Sequence, residues 1–318
     1  MSPQPIIYRS TYPPKPTVNT SIFTHLFRDS DVYPPARPAF IDAATGCSIT
    51  RGDLKRNVLA LSDGLRNQPI VPVEGGRRPL RRGDVVMILS PNSLSWPVAL
   101  FGAVAAGLAI TLASSSLTPR ELSWQWLDSR PQLLFVSRSH VAVARAMFQI
   151  IGVSEAEAEM RTWVMDDIWS STPSRATTDC NWLGTLFGDP GASEERFDGT
   201  GADETVYICY SSGTTGRPKG VESSHRGAGS VISMAWSVFE SIKRANDVTL
   251  AILPFYHIFG LIGHLHHSFY IGAPTVIMTQ GYDPATFCKL VEEYRITMAS
   301  AKPTYRCHSL EWAGSTPR

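Results

Sequence analysis

The sequence predicts an α/β fold, with βαβ units layered around a mainly parallel sheet, and three observations lead there. From Asp84 onward, short apolar runs alternate with longer segments of helical periodicity. The short runs are rich in β-branched residues and almost free of charge, as strands buried on both faces must be. The 318 residues are 43% hydrophobic and 18% charged, which supplies a core and excludes a solvated, disordered polymer. A chain of this length makes about two domains or one large α/β unit.

The stretch before Asp84 carries Pro13, Pro14, Pro16, Pro34, Pro35 and Pro38, and is expected to be irregular and to wrap the surface. Thr50 followed by Asp53 marks a helix start, and Leu54, Val58, Leu61 and Leu65 recur at helical spacing. Strands are expected at 85–89, 109–112, 133–137, 162–165, 206–210, 248–253, 275–278 and 296–299. Residues 85–119 bear no formal charge, but Pro97, Gly102 and Gly107 interrupt the apolar run. Strand, buried helix and strand therefore fit better than the roughly 20 residues of a membrane span.

Thr118-Pro119-Arg120-Glu121 supplies an N-cap, a proline at the first helical position and a glutamate at the third, so a helix starts there and runs toward Asp128. Residues 284–295 form another, with Phe287, Leu290, Val291 and Tyr294 on one face. Residues 170–203 are rich in Ser, Thr, Gly, Asp and Glu and read as a long surface connection. There is no internal repeat.

Lys and Arg total 29 against 28 Asp and Glu, a net charge of +1. Such a balance gives no global pull toward nucleic acid or an anionic membrane, although a local anion site stays open. Cys47, Cys180, Cys209, Cys288 and Cys307 are odd in number, far apart and without a Cys-x-x-Cys pair. Reduced thiols in an intracellular, cytoplasmic protein without a leading signal peptide are the expectation.

The most informative stretch runs Tyr207-Ile208-Cys209-Tyr210 and then Ser211-Ser212-Gly213-Thr214-Thr215-Gly216-Arg217-Pro218-Lys219-Gly220-Val221. An apolar strand opens into glycines and hydroxyl residues that end in a lysine, with a helix expected from about Ser223. Glycines let backbone N–H groups close on oxygen atoms, Ser and Thr hydroxyls donate, and Lys219 adds a mobile positive charge, which is the chemistry of polyphosphate binding. Two common phosphate motifs fail on spacing. Gly216 stands three residues before Lys219, where a Walker loop needs Gly-Lys-Ser/Thr, and Gly227-Ala228-Gly229 is not completed as a dinucleotide fingerprint. A mobile surface turn of the same composition is the plain alternative.

The ordered string from Ser211 to Val221 resembles the signature of the adenylate-forming (AMP-binding) superfamily, in the form used by acyl-CoA synthetases and 4-coumarate–CoA ligases. Leu253-Pro254-Phe255-Tyr256-His257-Ile258-Phe259-Gly260 is similar to that family's next motif, about forty residues downstream. Tyr8-Arg9-Ser10, Gly83-Asp84-Val85-Val86 and Gly272-Ala273-Pro274-Thr275-Val276 agree with it as well. The resemblance implies the layered large N-terminal domain of such an enzyme. It also implies a two-step reaction: a carboxylic acid attacks ATP to give an acyl-adenylate, and coenzyme A then displaces AMP.

The resemblance further implies that Ser211, Ser212, Gly213, Thr214, Thr215 and Gly216 hold phosphate, that Lys219 stabilises the leaving pyrophosphate, and that Mg2+ neutralises charge. By the same resemblance His257 orients the acid, with Phe255 and Tyr256 on the substrate side. A histidine that merely packs at a helix start is the alternative reading of His257. His264, His266 and His267 lie on an expected buried helix without Cys or carboxylate neighbours, which favours packing over metal binding, and His225 is expected to be structural. The parent family is cytoplasmic or peroxisomal.

The likeness stops near residue 300, and residues 301–318 form a polar, aperiodic tail. None of the later family motifs, Tyr-Gly-x-Thr-Glu among them, can be found. A truncated ligase is therefore expected, with residues 1–300 as a partial adenylation domain, the C-terminal lid domain absent and activity impaired. The alternative is an inactive remnant that binds nucleotide weakly or serves as an interaction module.

Overall fold

The computed structural model describes residues 10–28, 33–170, 180–211, 217–240 and 246–300. In chain order, α1 (Ile22–Leu26) leads to β1 (Pro38–Asp42), β2 (Ser48–Thr50), α2 (Arg51–Asn67), β3 (Val71–Val73), β4 (Gly76–Arg78), β5 (Val85–Leu89) and α3 (Ser95–Ala105). Then come β6 (Ala109–Ala113), α4 (Pro119–Ser129), β7 (Leu133–Val136), α5 (Val141–Ile150), α6 (Glu155–Arg161), β8 (Thr162–Val164), β9 (Asn181–Trp182), β10 (Thr205–Ser211) and β11 (Lys219–Ser224). The chain continues through α7 (His225–Phe239), β12 (Thr249–Ala251), α8 (Ile258–Gly260), a π-helix over Leu261–His267, α9 (Ser268–Tyr270), β13 (Thr275–Ile277), α10 (Pro284–Glu293) and β14 (Met298–Ala299).

The local signals act as expected at the helix starts. Thr50 Oγ1 accepts from the Asp53 N–H at 3.1 Å. The Thr118 hydroxyl accepts from the Glu121 N–H while the Glu121 carboxylate accepts from the Thr118 N–H at 2.8 Å. A cap of this kind stabilises a helix by about 1 kcal/mol, and proline at the first position costs no hydrogen bond. Asp283 caps α10 through the Thr286 N–H at 2.7 Å.

Among the described residues the strands form two large sheets and a small ribbon rather than the single sheet expected. The seven-stranded sheet has the order β11-β10-β6-β5-β7-β8-β9, parallel except for β11. In β5, Val86 and Ile88 point into one apolar cluster with α2 and α3, whereas Met87 and Leu89 point into another with Leu122, Trp126 and Phe148. The period of two thus sends alternate side chains to two cores, and both faces are buried. The uncharged stretch becomes α3, every residue of which is buried, followed by strand β6. No helix of the described residues is long and apolar enough to cross a membrane.

The second sheet, β14-β12-β13-β1-β2, corrects the reading of the N-terminal segment. Residues 10–17 are exposed for the most part and lack regular structure, but α1 buries Ile22, Phe23 and Leu26, and β1 pairs in parallel with β13, Phe40 opposite Thr275. A strand whose partner lies more than two hundred residues away leaves no local periodicity to read. The connection after Ser170 is likewise less superficial than expected in its described part. Leu183, Leu186, Phe197 and Ala202 are buried, and Glu195 N–H donates to Ala105 O at 2.7 Å.

Candidate active site

The strand that precedes the glycine-rich loop is β10, which lies between parallel β6 and antiparallel β11. Lys219 does not lead directly into a helix. It opens β11, and the ladder runs from Ser211 opposite Lys219 to Thr205 opposite Ser224. The helix begins two residues later than the sequence suggests, with the Ser224 side chain accepting from the Gly227 N–H at 3.1 Å. The strand was missed because Gly220, Val221, Glu222, Ser223 and Ser224 alternate weakly and the pairing across the loop supplies the order. Ser212, Gly213, Thr214, Thr215 and Gly216 lie outside the described residues.

A cleft of about 660 Å³ opens beside this hairpin. Cys209, Tyr210 and Ser211 line it from β10, Arg217, Pro218, Val221 and Ser223 from the other arm, and Tyr256, His257 and Ile258 from the segment after β12. The remaining wall is α4, including Arg120, Trp124 and Gln125. Arg120, Trp124 and Asp128 follow at intervals of four and share one helix face. Trp124 meets the Tyr210 ring edge-on at 5.5 Å, and the Tyr210 hydroxyl donates to Asp128 Oδ2 at 2.6 Å. Gln125 is buried and donates through Nε2 to Leu112 O and Thr111 Oγ1, both at 3.1 Å, so the helix is also fixed to β6.

Of the sequence-predicted residues, Ser211, Tyr256 and His257 meet in this cleft. Lys219 stands exposed at the mouth of the hairpin, where its side chain makes no hydrogen bond or ion pair among the described residues. Phe255 goes elsewhere. It is fully buried, edge-on to Trp96 at 6.1 Å, and belongs to the core instead of the cleft lining.

The segment that carries His257 is held on both sides. Asn92 donates through Nδ2 to Leu253 O at 2.9 Å and accepts from the Phe255 N–H at 2.8 Å. The His257 N–H donates to Pro254 O at 3.1 Å, and His257 Nδ1 accepts from the Phe259 N–H at 3.3 Å as the cap of α8. The helix-start reading of His257 and its place in the cleft therefore coexist: Nδ1 is engaged by the backbone, which fixes the ring. Gly260 permits this turn, because a Cβ there would lie 2.0 Å from Pro254 O.

The other histidines have separate roles. His264, His266 and His267 sit in the π-helix and are buried, as expected. His266 Nδ1 donates to Leu261 O at 2.7 Å, so Nε2 is free to accept from the Tyr207 hydroxyl at 2.6 Å. Burial holds all three rings down at about 4. His225 is structural: Nδ1 accepts from the Ile22 N–H at 3.2 Å, and the ring stacks on Phe197. In the cleft, burial pushes the Cys209 thiol up to about 12, which keeps it protonated and unreactive. Burial and the Asp128 carboxylate also raise the Tyr210 hydroxyl.

The fold is a mixed α/β domain with parallel sheets, of the kind found at the N-terminus of adenylate-forming enzymes. The AMP-binding enzyme family model matches residues 26–313, and the chain belongs to that family. It is 30% identical over 302 residues to 4-coumarate–CoA ligase-like 3 of Oryza sativa subsp. japonica, covering 92% of this chain and 48% of that protein. To 4-coumarate–CoA ligase 1 of the same species it is 31% identical over 285 residues, covering 84% of this chain and 44% of that protein. The chain thus spans about half the length of the relatives it matches. Among solved structures, a red-emitting luciferase from Phrixothrix hirtus superposes with a TM-score of 0.72 at 23% identity, over 90% of this chain and 51% of that one. ATP-bound MatB from Rhodopseudomonas palustris gives 0.68 at 23% identity, over 89% and 49%.

Proposed function

We propose that this chain carries the phosphate-holding half of an ATP-dependent ligase site, one that activates a small carboxylic acid as an acyl-adenylate for transfer to coenzyme A. The observation that carries the reading is the meeting of Ser211, at the exit of the central strand, with His257 and Tyr256 in one cleft, while Lys219 stands opposite Ser211 across the hairpin. Phosphate and acid would then be held on the two sides of a single space, as in-line attack requires.

In this reading the hydroxyls and amides from Ser211 to Gly216 hold the terminal phosphates of ATP, and Lys219 offsets charge on the departing pyrophosphate. Mg2+ would neutralise the phosphates so that an anionic acid can approach them. His257, with Nδ1 occupied by a backbone N–H, presents Nε2 to the acid and orients it, and Tyr256 forms part of the acid's wall. The chain acts in the cytoplasm.

Carboxylate-dependent exchange of labelled pyrophosphate into ATP tests the proposal. Exchange that depends on added acid and is lost in Lys219→Gln supports it. Saturable ATP binding with no exchange for any acid would favour the second reading, a module that holds nucleotide without turnover.

A further inference from the structure

The cleft contains two cations that the ligase reading does not use. Arg120 and Arg217 both line it, one from the first turn of α4 and the other from the far arm of the hairpin. Both side chains are exposed, and neither guanidinium makes a hydrogen bond or ion pair among the described residues. Arginines elsewhere in the chain are engaged: Arg226 with Asp203 at 2.6 Å, Arg196 with Asp198 at 2.9 Å, and Arg82 with Glu195 at 3.1 Å. On the helix face shared by Arg120, Trp124 and Asp128, the last two contact Tyr210, whereas the Arg120 side chain makes no hydrogen bond or ion pair among the described residues.

Glu121 also lines the cleft, but its carboxylate is taken up by the Thr118 N–H and hydroxyl, each at 2.8 Å. The cleft therefore has two unspent guanidinium forks beside an indole and apolar walls from Leu117, Val221 and Ile258. A guanidinium presents paired donors that match phosphate oxygens, and two of them suit a dianion better than a monovalent carboxylate. An apolar wall with a ring edge suits a flat or hydrocarbon body.

We propose that Arg120 and Arg217 close on the phosphate of an organic phosphate ligand whose body lies along Trp124, forming an anion clamp separate from Lys219. The clamp rests on the ligase reading only for the source of that phosphate. A nucleotide's polyphosphate reaching across the hairpin and the ribose phosphate of a thiol carrier share the required chemistry.

Titration calorimetry of the full chain with ATP, inorganic pyrophosphate, coenzyme A and 3′-dephospho-coenzyme A decides the matter, comparing Arg120→Gln, Arg217→Gln, Lys219→Gln and, as a control, Arg145→Gln. Each clamp variant is expected to weaken at least one phosphate ligand about tenfold and to flatten its salt dependence, with Arg145→Gln unchanged. Loss confined to ATP and pyrophosphate assigns the group to the nucleotide. Loss with coenzyme A but not with its dephospho form assigns it to the carrier. Wild-type affinities in both clamp variants overturn the clamp, as does failure of every probe to bind wild-type protein.

If Lys219→Gln alone loses ATP, the nucleotide reading stands and the clamp falls. If ATP never binds but coenzyme A binding depends on the two arginines, the clamp stands and the nucleotide reading falls. Unchanged melting temperatures in the variants, and partial recovery in Arg120→Lys and Arg217→Lys, separate lost contacts from misfolding.

Discussion

The Tyr207 hydroxyl lies 2.6 Å from Nε2 of His266, and both side chains are fully buried. Tyr207 stands four residues before Ser211 on β10, and His266 belongs to the π-helix that follows His257. The bond thus ties the strand that precedes the glycine-rich segment to the element that follows His257. His266 Nδ1 continues the tie to Leu261 O, and the Leu261 N–H donates to His257 O at 2.9 Å.

Replacing Tyr207 with Phe leaves Nε2 of a buried histidine without a donor. A loss of about 1–3 kcal/mol in unfolding free energy is expected, read as a lower urea midpoint at constant slope. An unchanged midpoint would show that the buried bond contributes nothing net.

Asn92→Ala removes both bonds that hold the Leu253–Phe255 backbone. We expect a stability loss of about 2 kcal/mol, since a buried amide and carbonyl lose partners together. Acid-dependent exchange should fall more steeply than ATP affinity, because the His257 side of the cleft is disturbed and the hairpin is not. Equal loss of both would argue against a local effect.

Gly260→Ala places a methyl 2.0 Å from Pro254 O, a backbone atom that cannot turn aside. A loss of several kcal/mol is expected, measured by thermal melting. Gly263→Ala, where no atom lies within 4 Å of the added carbon, is the matched control and should melt within a few degrees of wild type.

Lys219→Gln should reduce ATP affinity about tenfold while leaving the unliganded melting temperature in place, because the exposed side chain supports nothing in the fold. Calorimetric titration and a melting scan of the same preparation check both halves of that statement.

Acid should destabilise the protein before its carboxylates titrate. His225, His264, His266 and His267 are buried, and burial lowers each to about 4, whereas histidines of an unfolded chain titrate near ~6.5. Below that pH the unfolded chain takes up protons that the native rings refuse. The stability these groups lend is therefore fully present above about pH 6.5 and is lost as pH falls toward 4, at up to about 1.4 kcal/mol per pH unit for each ring. Urea midpoints that stay level between about pH 7 and 5 would contradict it.

Much of this protein was legible before any coordinates. Charge-free apolar runs gave the strands of the parallel sheet, and Thr50 and Thr118 mark helix starts through contacts within three residues of themselves. The loop string and the motif around His257 pointed to one family, because each is a contiguous piece of chain.

The tertiary structure decided what depends on distant pairing. It set β1 beside β13, made the segment after Lys219 a strand by laying it against β10, sent Phe255 to the core, and turned Arg120 toward the same cleft as Arg217. Caps and periodicity are local interactions, fixed by residues within one turn of each other. Sheet partners and cleft walls are chosen by burial among segments that the sequence holds far apart, and only the folded chain brings those into contact.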